Sequence, residues 1–142
     1  MDSAVGAPAA DAGGATQAGM GFLRVMLGLQ IALGLLWGVS MLFFARQIVL
    51  GGDTTPEHIE KIALEGAAHF MLVFGAVLVW REPRQSRNAL LMMIFLNALW
   101  TLTDLVYIPI LHLSALDFYA KVVVNAILAI GLAIAGRRAR VI

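Results

Sequence analysis

The sequence contains no cysteine, which excludes disulfides, thiolate catalysis and cysteine-ligated metals. It is also poor in charge: 13% of its 142 residues are Asp, Glu, Lys or Arg, against about 25% in an average soluble domain. The formal net charge is only +1, so the strongly basic face that nucleic-acid binding requires is missing. No HExxH metal signature, nucleophile motif, phosphate loop or dinucleotide fingerprint is present. The N-terminus lacks the basic and apolar regions of a secretory signal peptide. What remains is apolar: 61% of the chain is hydrophobic.

That excess lies in four segments, about 22–48, 57–80, 88–109 and 116–135. Each approaches or exceeds the roughly 20 residues a helix needs to cross a bilayer. The length leaves no room for a separate soluble domain, so the expected fold is an all-α, antiparallel four-helix transmembrane bundle over residues 21–142. Residues 1–20 are Ala/Gly-rich and hold almost no large apolar side chain. Such a stretch buries too little surface to offset its ordering entropy, and a disordered tail is expected there. Met20 stands where an alternative start would remove it.

Breaks between spans have readable chemistry. Thr55 and Pro56 suit the N-cap and first position of the second helix, and Glu57 and Glu60 favour its positive end. Trp80 is an interfacial aromatic before the polar loop REPRQSR at 81–87. Pro109 marks the end or a kink of the third helix, and Gly136 is placed like a C-terminal stop for the fourth. In the first span Gly34 and Gly38 form a GxxxG pair, and Gln30 and Ser40 are polar interruptions of its apolar run. Small residues so spaced let a second backbone approach closely, either inside the bundle or in a homodimer or larger membrane complex.

Four spans put the N-terminus, the 81–87 loop and the C-terminus on one side. That side carries Arg24, Arg81, Arg84, Arg87, Arg137, Arg138 and Arg140, whereas the other has Arg46, Lys61 and Lys121. The positive-inside bias therefore predicts both termini in the cytoplasm, in a bacterial inner membrane. The basic tail serves as a topology anchor, with anionic-lipid contact as a lesser role.

Polar residues inside the spans point to a site. Glu65 and His69 are four apart and share a helix face, with His58 on the same stripe. Asn97, Thr101 and Asp104 line the third helix, and Asp117, Lys121 and Asn125 the fourth. A charge at mid-bilayer costs roughly 2.5–3.5 kcal/mol on insertion scales, so ionisable residues there normally face a bundle interior or a wet cavity. All three stripes fall in the outer half, which predicts a cluster of Glu65, His69, Asn97, Thr101, Asp104, Lys121 and Asn125, rimmed by Trp37, Trp100 and Tyr119. The plainer alternative is that Asn97, Thr101 and Asn125 are interhelical glue, worth about 0.6 kcal/mol each, and that Lys121 snorkels to the interface. Metal binding is not expected, although His58, Glu65, His69, Asp104 and His112 are suitable donors. A Glu–His pair is also suited to a proton relay.

The glycine-bearing first span (LGLQIALGLLWG), the EGAAHF stretch of the second helix and the basic REPRQSR loop resemble small bacterial four-helix membrane proteins of the DoxX-like kind. That resemblance covers most of the chain in layout and implies a four-span fold. Some such proteins are accessory subunits of membrane redox systems; no functional residue carries over from them. The leading expectation is an accessory membrane protein binding an apolar or amphipathic small molecule or lipid in an outward-facing polar pocket. Two other classes stay open, a proton- or ion-coupled small transporter and an intramembrane enzyme acting on a sterol or quinone. No particular cofactor is implied.

Overall fold

Between 17% and 33% of each apolar span is buried, so most of every span turns large apolar side chains outward. Val25, Leu36, Met71, Phe74, Met92, Phe95, Ile127 and Ile130 are all exposed. A surface this apolar on every helix is what lipid requires and water forbids. The chain is an all-α membrane bundle, and among the described residues four helices are long and apolar enough to cross a bilayer.

The computed structural model describes residues 11–48, 55–110 and 116–142, with side chains for 17–47, 55–106 and 120–142. Helix α1 runs Asp11–Phe43, α2 Ala45–Ile48, α3 Pro56–Arg81, α4 Arg87–Ile110 and α5 Leu116–Arg138. The long helices form a ring in which α1 packs on α3 and α5, and α4 packs on α3 and α5. Helices α1 and α4 therefore face each other across one diagonal, and α3 and α5 across the other. Leu23, Leu27, Leu72, Val79, Leu90, Met93 and Leu132 fill the half of the core nearer the arginine-rich end.

Glycine sets the closest seam. A Cβ added at Gly34 would lie 2.6 Å from Val73 Cγ2, and one at Gly38 would lie 3.3 Å from the Gly66 carbonyl oxygen. On the facing helix, a Cβ at Gly66 would lie 2.8 Å from the Leu42 backbone nitrogen. The GxxxG face is thus packed against α3 of the same chain.

Several local expectations are corrected. The stretch expected to be disordered up to residue 20 is helical from Asp11 onward, while residues 1–10 lie outside the described residues. Gly19 lies directly against the Arg138–Ala139 backbone, and the Arg138 guanidinium stands 6.0 Å from the Phe22 ring centroid. The first span does not run unbroken to 48; it breaks at Phe44, and the short α2 follows. Helix α4 runs to Ile110, one residue past the Pro109 expected to mark its end or a kink, so that expectation needs no correction. Thr55 and Pro56 do occupy the N-cap and first position of α3.

Gly136 is not the stop of α5. The helix ends two residues later in a Schellman arrangement: the Val141 N–H donates to the Gly136 carbonyl at 2.9 Å, and the Arg140 N–H donates to Arg137 at 3.0 Å. Arg140 takes the left-handed position, with φ of 55°, usually filled by glycine. Gly136 is needed instead for room, because a Cβ there would lie 2.9 Å from Leu90 Cδ2.

These contacts set the sign of three substitutions in detergent unfolding. Gly66→Ala must push against backbone and is expected to lose about 1–3 kcal/mol, as overpacking does. Gly21→Ala meets nothing within 4 Å, and is expected to gain up to about 1 kcal/mol from helix propensity. Arg140→Gly relieves the left-handed residue and is expected to gain roughly 1 kcal/mol.

Candidate functional site

The polar side chains of the spans form two layers, each crossing a diagonal of the bundle. The lower layer joins α1 to α4. Asn97 Nδ2 donates to Gln30 Oε1 at 2.9 Å and to the Met93 carbonyl at 2.8 Å, and the Thr101 hydroxyl donates to the Asn97 carbonyl at 2.8 Å. Gln30 is 2% exposed and Asn97 0%, so this pairing is shut away from both lipid and water. The upper layer joins α3 to α5, where Lys121 Nζ donates to Glu65 Oε1 at 2.5 Å. The backbones of α3 and α5 do not touch. Only long side chains bridge that distance.

Around this ion pair lies a cavity of about 30 Å³, lined by Trp37, Glu65, His69, Trp100, Asp104, Lys121, Val124 and Asn125. Each of the four long helices contributes. The order of residues along the helices puts it in the half of the bundle opposite the arginine-rich end. The cavity accommodates about two water molecules, at roughly 10–15 Å³ each. It is far smaller than the roughly 300–1,000 Å³ of sites that enclose drug-sized ligands.

His69 is only 6% exposed, yet its Nε2 has no hydrogen-bond partner among the described residues. Its ring packs on Trp100, centroids 4.8 Å apart and planes tilted by 50°. Opposite, the Lys121 ammonium lies 5.9 Å from the centroid of Trp37, within reach of a cation–π attraction. Asp104 lines the same cavity without an ion pair among the described residues. Asn97 Oδ1 is a second buried atom left without a partner.

The structure thus brings Glu65, His69, Asp104, Lys121, Asn125, Trp37 and Trp100 to one place. It leaves Asn97 and Thr101 out of the lining: Asn97 bonds across the bundle to Gln30 one layer below, and Thr101 bonds back to the Asn97 carbonyl within α4. Lys121 turns to Glu65 on α3, with its side chain 20% exposed and that of Glu65 38%. His58 lies at the start of α3, away from the cavity. The side chains of Tyr119 and Asp117, and all of His112, lie outside the described residues. Among the described residues no three His, Asp or Glu side chains are grouped to hold a metal ion.

Gln30 and Val124 are the participants that sequence reading overlooks. Gln30 reads as an isolated interruption of an apolar span, but it precedes Gly34 and Gly38 at the same four-residue step. That spacing was the available signal that it faces the interior. Val124 carries none, since it is one apolar residue among many.

Comparison of the chain with protein-family models, with curated proteins and with solved structures returned no match.

If the lower layer is a true interhelical tie, Gln30→Leu and Asn97→Leu should couple in a double-mutant cycle. The expected coupling is about 0.6 kcal/mol and at most about 1.7, the range found for such bonds in membranes. Additive losses in detergent unfolding would show that the two side chains act independently.

Proposed function

We propose that this protein is a small multi-pass membrane protein that binds the polar end of a small or amphipathic molecule in the cavity around Glu65, His69 and Asp104. The observation that carries the reading is the buried, unpartnered Nε2 of His69 in a cavity to which all four spanning helices contribute. A buried polar atom left unsatisfied costs about 1–3 kcal/mol. Four ionisable groups in one apolar bundle cost more. Side chains that serve only packing do not need such an arrangement. The cavity volume limits the occupant to a head group, leaving any apolar remainder to lie along the lipid-facing exterior.

The seven arginines at the far end orient the bundle with both termini cytoplasmic, so the cavity belongs to the outer half of a cell membrane, in bacteria the inner membrane. The likeness in layout to DoxX-like proteins supports an accessory role beside a larger membrane system. A second reading is proton-coupled transport, favoured by the presence of Glu65, His69, Asp104 and Lys121 at a water-sized cavity. Against a continuous path stand the Gln30–Asn97 layer and the apolar core of Leu23, Leu27, Leu90, Met93 and Leu132 beneath it.

Native mass spectrometry from gentle detergent tests the proposal. The wild type should carry a bound molecule that Glu65→Ala and His69→Ala both lose, with no proton flux in vesicles of any of the three. Proton flux abolished by the two substitutions, with no bound mass, would establish transport instead. Variants indistinguishable from wild type in both assays would reduce the cluster to packing.

A further inference from the structure

The charges in the cavity do not balance. Glu65 and Asp104 are acids and Lys121 is the one fixed cation among the residues that line it, and Lys121 is committed to Glu65 at 2.5 Å. Asp104 makes no ion pair among the described residues, and the Lys121 that lies near it is already bound to Glu65, in a bundle whose outer surface is apolar. A carboxylate without a counter-ion of its own in such surroundings favours any cation that can reach it. From this imbalance we infer that the cavity takes a primary ammonium group, the protonated end of a small or amphipathic amine. The inference rests on the ligand-binding reading above and names the class of its ligand.

Three further features select an ammonium. The walls are indoles, Trp37 and Trp100, whose faces attract cations. Lys121 already places its own ammonium 5.9 Å from the Trp37 centroid, so the cavity accommodates this group from inside the chain. The acceptors also match in number. An ammonium has three N–H donors. The Asp104 carboxylate, the free His69 Nε2 and the side-chain oxygen of the buried Asn125 can each accept one. His69 does so in the tautomer with its proton on Nδ1.

Size and charge exclude the alternatives. A primary ammonium is close to water in volume and suits a cavity of about 30 Å³, whereas a trimethylammonium is several times larger and donates nothing. A water molecule satisfies His69 but leaves Asp104 uncompensated. An anionic head group meets Asp104 as a like charge, with Lys121 already engaged.

The test uses tryptophan emission in a Trp80→Phe protein reconstituted in nanodiscs. That substitution leaves Trp37 and Trp100, both in the cavity wall, as the reporters. Decylamine, decyltrimethylammonium, decanol and decanoate are titrated in turn at neutral pH. Decylamine should saturate, and bind more tightly than the other three by on the order of ten-fold, a difference of about 1.4 kcal/mol. Asp104→Asn should weaken decylamine by a similar factor and leave decanol unchanged. Decanol or decanoate binding as tightly as decylamine would overturn the ammonium assignment while keeping the cavity as a ligand site. Equal binding of decyltrimethylammonium would overturn the three-donor match. If no probe saturates and native mass spectrometry shows no bound molecule, the ligand-binding reading falls as well. The probe comparison needs no site substitution, so the assignment stands or falls even where Asp104→Asn folds poorly.

Discussion

Glu65 and Lys121 meet across the diagonal between two helices whose backbones never touch. In lipid no apolar driving force holds helices together, since the acyl chains are as apolar as the side chains. Charges, by contrast, are strongly disfavoured at the lipid face and must find one another inside. The ion pair therefore selects which faces of α3 and α5 turn inward. The stripe on each helix then brings its neighbours with it: His69 one turn from Glu65, Asn125 one turn from Lys121. The cavity is a consequence of that placement.

Beneath it, Gln30 and Asn97 do the same for the other diagonal, with neutral groups. Two crossed ties at successive levels orient all four helices about their own axes. Leucine and methionine fill the remaining half of the interior. The α1–α3 seam is closed by glycine, where the Gly38–Gly66 contact leaves no space for a Cβ on either side. Close backbone approach at this seam carries Trp37 toward α3 and makes it a wall of the cavity. Polar pairing and small-residue packing thus act on the same site from different directions.

The unsatisfied atoms mark where this arrangement is incomplete. Most buried polar groups in folded proteins are hydrogen-bonded, and exceptions tend to have a cause. His69 Nε2 opens on a cavity with room for an occupant, whereas Asn97 Oδ1 lies in the closed layer below. The first is the kind of orphan a ligand completes. The second belongs to an amide whose other end is already doubly engaged, by Gln30 and by the Met93 carbonyl.

The number of spans, their approximate bounds and the all-α class were legible in the sequence, because apolar length and helical period are local properties. So was the gathering of Glu65, His69, Asp104, Lys121 and Asn125, since the cost of ionisable groups in lipid leaves them one direction to face. Tertiary structure alone decided which partner each would take. Asn97 bonds Gln30 instead of joining the cavity, Gly34 and Gly38 face α3 of the same chain, and Gly19 lies against the end of α5. Each of those outcomes depends on which helices are neighbours and at what height, and contacts between residues so far apart in the chain leave no trace in local spacing.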